Sequence, residues 1–180
     1  MPGMPAVPAR VHVRRIGAED EALARAVRGL RLGAGQCRYV GDLAFNLGDS
    51  LRDPHSEAMA VLAGDAVAGF YRLDFSPRGI AGRDFPEPSV GLRSFAIDRA
   101  WQGRGCGAAA LSACCADLRA RHPRRRLLAL TVNCENAPAL ALYRKAGFVV
   151  VGEPYLGGGA GPQHVMLYRL QPQAPTAGTP

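Results

Sequence analysis

The stretch Phe95-Ala96-Ile97-Asp98-Arg99-Ala100-Trp101-Gln102-Gly103-Arg104-Gly105-Cys106-Gly107-Ala108 constrains the fold more than any other part of the chain. An apolar strand, Val90 to Ile97, runs into glycines at alternate positions, and a helix rich in Ala and Leu, Arg104 to Arg121, follows directly. Glycine lets a backbone turn tightly and approach a ligand closely. The start of a helix presents unpaired N–H groups carrying partial positive charge. A strand, a glycine turn and a helix start in that order form an anion site suited to phosphate or pyrophosphate.

The remaining elements alternate around this junction. Val11 to Arg14 reads as a short strand, and Glu21 to Leu32 as a helix with acids early and arginines late. Cys37 to Leu51 reads as a helix broken by Gly41 and Gly48. Ala58–Leu62 and Ala66–Leu73 flank Gly64-Asp65, a strong hairpin signal. A Pro- and Gly-rich loop, Phe75 to Pro88, precedes the central strand. Beyond the long helix, Arg126–Val132 is a buried strand and Ala137–Ala146 a short helix. Phe148–Val151 and Val165–Leu170 are closing strands around Gly157-Gly158-Gly159. This order predicts an α/β domain with a mixed sheet and helices on both faces.

The chain has 180 residues, the length of one domain, with 48% hydrophobic and 21% charged residues. Residues 1–10 and 171–180 are Pro/Ala/Gly-rich, lack periodicity and are expected to be flexible tails around a single domain over 11–170. No apolar run approaches the ~20 residues of a membrane helix, and the N-terminus has no signal-peptide core, so a cytoplasmic protein without membrane partners is expected. The five cysteines include no C-x-x-C pair, so neither a disulfide framework nor a metal site is expected. The formal charge is +7, and 21 of the 22 basic residues are arginine. Those arginines are scattered, only 7% of residues are aromatic, and no nucleic-acid-binding signature accompanies them, so a nucleic-acid partner is not expected.

A nucleoside triphosphate would need G-x-x-x-x-G-K-[ST], and neither Lys nor Ser/Thr follows the glycines. A dinucleotide fits formally at Gly103, Gly105 and Ala108, but the next strand ends in Thr131-Val132-Asn133 without the ribose-binding acid. A coenzyme A pyrophosphate is the third ligand.

Two signatures resemble the GNAT (GCN5-related) N-acetyltransferase superfamily. Gln102, Gly105 and Gly107 stand in the register of its Gln/Arg-x-x-Gly-x-Gly/Ala loop. Asn136-Ala137-Pro138-Ala139-Leu140-Ala141-Leu142-Tyr143-Arg144-Lys145-Ala146-Gly147-Phe148 is similar to its Asn-x-x-Ala-x-x-Leu-Tyr-x-x-x-Gly-Phe signature. The resemblance covers roughly 11–170. It implies a GNAT fold: a mostly antiparallel sheet of six to seven strands, splayed between its fourth and fifth strands (here Val90–Ile97 and Arg126–Val132), with acetyl-CoA in the gap.

By resemblance, the backbone of Phe95, Ala96 and Ile97 pairs with the pantetheine arm. The backbone amides of Gln102, Gly103, Arg104, Gly105, Cys106, Gly107 and Ala108 cradle the pyrophosphate, and the Arg104 side chain can add a charge-assisted contact. Asn136 is an N-cap whose side chain can also touch coenzyme A. Tyr143, two helical turns further on, is expected to protonate the departing thiolate. Cys106, at a helix start, is expected to have a lowered thiol pKa. Trp101 and Phe148 read as packing residues, and Arg124–Arg126 with His122 as a basic run that is either solvated or on the 3′-phosphate. The family's catalytic Glu position falls on Thr131. Glu135, Asp98, His164 and Glu57 are therefore the open candidates for general base, beside a water relay.

The resemblance implies an acetyl-CoA-dependent N-acetyltransferase, without metal, acting on a primary amine as a monomer or homodimer. Asp42, Asp49, Asp53, Glu57, Asp74, Asp84 and Glu87 lie in the segments that would shape the acceptor pocket. They suit a cationic, polyamine-like acceptor, and Gly91 to Gly105 is similar to spermine/spermidine-type acetyltransferases. A protein N-terminus or lysine is the alternative, as is a coenzyme A-binding regulator without catalysis.

Overall fold

Twelve elements follow one another in the computed structural model, which describes residues 10–172. They are β1 (Val11–Ile16), α1 (Glu21–Arg28), α2 (Cys37–Val40), α3 (Leu43–Arg52), β2 (Ser56–Ala63), β3 (Ala66–Asp74), β4 (Ser89–Ile97), α4 (Cys106–Arg121), β5 (Leu127–Asn133), α5 (Ala137–Ala146), β6 (Val149–Val150) and β7 (Gln163–Arg169). Apart from Arg10, Gln171 and Pro172, the two expected tails lie outside the described residues. Among the described residues no helix is long and apolar enough to cross a membrane.

Local chemistry explains most boundaries. Gly64, at φ +61, lets β2 turn back on β3. Gly41, at φ +76, ends α2, and Asp42 then caps α3 by accepting the Phe45 N–H at 2.7 Å. Gly48 does not break this second helix as expected. It lies inside α3, where Leu43 and Leu47 hold the helix on the sheet, because packing outweighs a propensity cost of about 1 kcal/mol. The first helix is shorter than its periodicity implied, stopping at Arg28 with Gly29 as its cap.

The strands form one seven-stranded sheet in the order β1-β2-β3-β4-β5-β7-β6. Every pair is antiparallel except β4–β5. That parallel pair is joined only at Ser89–Leu127, Val90–Leu128 and Gly91–Ala129, and the strands separate beyond it. The expected splay is therefore present.

Both faces are covered. Tyr71 and Leu73 of β3 pack with α4 and α5, whereas Phe70 packs with α1 and α3. A smaller apolar cluster of Ile80, Ala129 and Val165 lies beyond the splay. Within β4, Ser94 has φ +53, and the pairing slips so that Arg72 faces Arg93 while Phe70 faces Ala96. This bulge adds a residue, so Leu92 and Phe95, three positions apart, contact the same core cluster.

Candidate active site

Where β4 and β5 part, a cavity of about 420 Å³ opens. Leu92 to Phe95 of β4 and Thr131 to Asn133 of β5 form its sides. Asn136, Ala139 and Tyr143 also line it. So do Tyr39 and Val40 of α2, Asn46 of α3, Arg72 of β3, the turn 79–82, and Tyr155 with Gln163. From Leu92 to Ile97, the β5-facing side of β4 has no strand partner, leaving an open edge for an extended ligand.

Tyr143 is 8% exposed, and its hydroxyl makes no hydrogen bond among the described residues. Its ring meets Phe95 and Phe148 edge-on, with centroids 6.3 and 5.5 Å apart. Burial, with the nearby Cys114 sulfur adding to it, pushes the phenol pKa well above its ordinary value. The phenol therefore stays protonated near neutral pH. Asn136 caps α5, accepting the Ala139 N–H at 3.3 Å, and shares the cavity wall with Tyr143.

Phe95 lines this cavity, whereas Ala96 and Ile97 sit further along the unpaired edge of β4. The glycine turn lies outside the cavity lining. Gly103 and Gly105 have φ +72 and +75, a left-handed backbone, and Gly105 is the cap of α4. Ala109 makes the first helical bond, to the Gly105 carbonyl, so the amides of Cys106, Gly107 and Ala108 precede the intrahelical ladder. Gln102 fixes the turn by donating to the Ile97 carbonyl at 2.8 Å, and it exchanges two amide bonds with Gln36. The Arg104 guanidinium lies 5.9 Å from the Trp101 ring.

The expectation for Cys106 is reversed. The residue is 4% exposed, and burial raises its thiol pKa, making it a packing residue. Asp98 accepts the N–H groups of Arg31 and Ala100 at 2.7 and 2.8 Å, the work of a turn residue. Glu135 pairs with Arg38 at 3.3 Å, and Glu57 with Arg121 and His122 at 2.9 and 3.3 Å. Neither these three nor His164 lines the cavity, so no base candidate from the sequence is in place.

The acids expected around the acceptor are also elsewhere. Asp49, Asp74, Asp84 and Glu87 are ion-paired with Arg72, Arg93, Arg78 and Arg169. Asp42 caps α3, Asp53 accepts the His55 N–H at 2.8 Å, and Glu57 borders a separate hollow beside β2. None of the seven lines the cavity, and among the described residues its charged side chains are Arg72 and Arg93. The acidic acceptor wall is therefore corrected to a wall with two arginines and no carboxylate. Sequence reasoning missed Arg72, although a charge inside the apolar run Ala66–Leu73 was the available signal. Tyr39, Asn46, Tyr155 and Gln163 were missed too, because they come from separate parts of the chain.

The sequence profile of the Acetyltransferase (GNAT) family matches residues 22–148. No curated protein matches the sequence closely enough to count as a relative. Solved structures share the fold at low identity. The ribosomal-protein-S18-alanine N-acetyltransferase of Escherichia coli is 17% identical, with 93% of this chain and 98% of that one aligned at a TM-score of 0.64. Spermidine N-acetyltransferase from Vibrio cholerae, in complex with CoA and spermine, is 16% identical over 90% of this chain and 96% of that one, TM-score 0.64. An aminoglycoside acetyltransferase in complex with coenzyme A is 18% identical over 89% and 95%, TM-score 0.67. With its profile match spanning most of the domain and its splayed sheet in place, the chain belongs to the GNAT acetyltransferase family.

Proposed function

We propose that this enzyme transfers the acetyl group of acetyl-CoA directly to a small primary amine, with Tyr143 as general acid. The observation that carries the reading is Tyr143, a largely buried residue that lines the cavity beside the unpaired edge of β4. The pantetheine arm would run along Phe95, Ala96 and Ile97. The amides from Gln102 to Ala108 would hold the pyrophosphate, with Arg104 and Asn136 adding side-chain contacts.

The amine nitrogen attacks the thioester carbonyl carbon, a C–N bond forms and the C–S bond breaks. The sulfur leaves as a thiolate of ordinary pKa near 8.5, and a phenol that stays protonated donates a hydrogen bond to it as charge develops. The proton lost by the amine leaves through water, since the cavity wall holds no carboxylate or imidazole. Orientation in the cleft and backbone N–H groups polarising the carbonyl supply much of the rate. A polyamine-like acceptor, the finer expectation, is opposed by the two arginines of the wall.

Free-thiol release from acetyl-CoA, measured with a mixed panel of amines on wild type and Tyr143→Phe, tests the proposal. Acceptor-dependent release that collapses in the variant supports it. Tight coenzyme A binding by calorimetry, with no release from any small amine or peptide, overturns it in favour of a non-catalytic coenzyme A sensor.

A further inference from the structure

We infer that the acceptor bears a carboxylate beside its amine, as an amino acid does, and that Arg72 binds that carboxylate; the inference rests on the acetyl-transfer reading. Arg72 is 9% exposed and occupies the middle of β3, between Tyr71 and Leu73, which are fully buried. Burying a guanidinium costs several kcal/mol unless its donors are matched. Here only Nη1 is engaged, by Asn46 Oδ1 at 3.2 Å and by Asp49 Oδ2 at 3.0 Å. Among the described residues Nε is fully buried without a partner, and Nη2, which is not fully buried, makes no hydrogen bond. With Nε closed off, Nη2 is the donor open to a ligand, and a guanidinium N–H makes a strong charge-assisted bond to a carboxylate. A cation in a cavity wall with that donor unmatched is a receptor for an anion.

The surroundings favour the same ligand. The cavity's second charge, Arg93, is held by Asp74, outside the lining, at 2.8 Å and by the carbonyl of Gly79, which lines the cavity. Asp49, the one partial counter-charge to Arg72, stands outside the lining and is 45% exposed, so water screens it. A second ammonium, as in a diamine, would meet two guanidinium groups and no carboxylate. The reactive amine belongs at the other end, near Phe95 and Tyr143, where the β4 edge is free. The ligand that spans both ends is therefore zwitterionic.

Acetyl-CoA-dependent thiol release is measured with free amino acids, their α-carboxamides, the corresponding decarboxylated amines, spermidine and a lysine peptide. At least one free amino acid should exceed its carboxamide tenfold or more in kcat/KM. Arg72→Met should raise the KM of that amino acid at least tenfold while leaving the carboxamide and acetyl-CoA values in place, and Arg72→Lys should recover part of the preference. Asp49→Asn should lower the amino-acid KM severalfold by removing the competing charge, whereas a purely structural ion pair would lose thermal stability with no gain in affinity. Should Arg72→Met fail to fold, Arg72→Lys and Asp49→Asn carry the test.

Equal or better use of carboxamides, decarboxylated amines or spermidine overturns the inference, as does an Arg72 variant that slows every acceptor alike. Calorimetry with the same amino acids on coenzyme A-loaded protein separates the two readings. Coenzyme A binding without amino-acid binding removes this inference alone. Absence of coenzyme A binding removes the acetyl-transfer reading beneath it.

Discussion

The two ends of the cleft are built differently. At one end stand the glycine turn, α4 and the open edge of β4, a surface made largely of backbone. At the other stand Tyr39, Asn46, Arg72, Tyr155 and Gln163, side chains from five separate parts of the chain. A backbone site depends on local conformation, so a short sequence can encode it. A side-chain site depends on which remote elements meet, and substitutions there change specificity without disturbing the fold. The backbone-built end is thus the part that a family can share, and the side-chain-built end is where its members can diverge.

The largest effect that would test this division falls on the residue where the two ends meet. Tyr143→Phe keeps the ring contacts with Phe95 and Phe148 and removes only the hydroxyl. General acid catalysis contributes typically ~10²–10⁴-fold, so kcat should fall by about 100-fold or more with both KM values little changed. Steady-state kinetics at saturating acetyl-CoA checks this, and an unchanged kcat would remove Tyr143 from the mechanism.

Gly105→Val strikes the backbone end alone. A β-branched residue at φ +75 is strained by about 1–2 kcal/mol, which corresponds to a melting temperature lower by roughly 2–8 °C in a domain of this size. The acetyl-CoA KM should rise at least tenfold while the acceptor KM stays put. Equal movement of both constants would show that the two ends are not separable.

Asp74→Asn strikes the other end. Burial alone would raise the pKa of this carboxyl, but hydrogen bonds from Ser76 and the Arg93 charge outweigh it and hold it below its ordinary 3.8. A carboxyl lowered in the folded state stabilises the fold above its unfolded pKa and loses that contribution as pH falls through the folded value. Denaturant melts should therefore show wild type more stable than Asp74→Asn at pH 6, with the gap closing below about pH 4. The acceptor KM should rise severalfold in the variant, because Arg93 loses its anchor to the loop that forms the wall.

The smallest effect belongs to the one link between the ends. Gln36, just before α2, and Gln102, in the glycine turn, hold each other through two amide bonds. A double-mutant cycle with Ala at both positions should give a coupling of about 0.5–1.5 kcal/mol in unfolding free energy. No coupling would make the two ends energetically independent.

The sequence was informative wherever a structural need is satisfied within a few residues. Gly64-Asp65 turned the β2–β3 hairpin where expected, and α5 spans Ala137–Ala146 as read. Asn136 caps that helix because the N–H it bonds is only three residues away. The same local reasoning failed where packing or burial intervened. Gly48 looks like a helix breaker until Leu43 and Leu47 are seen against the sheet. Cys106 looks activated by its helix start until its burial is known. Seven acids looked like an amine-binding wall, but five are ion-paired with arginines, four of them 19 residues or more away in sequence.

The chain by itself thus determined the element order, the glycine turn and the tyrosine helix, each set by periodicity, φ preference or capping over a short span. Tertiary structure alone decided which charges face the cleft. Ion pairing and burial join residues as far apart as Asp49 and Arg72 or Asp74 and Arg93, and no local pattern carries that information. Arg72 is buried with an unmatched edge only because α3 folds over β3 on one side and the splay opens on the other.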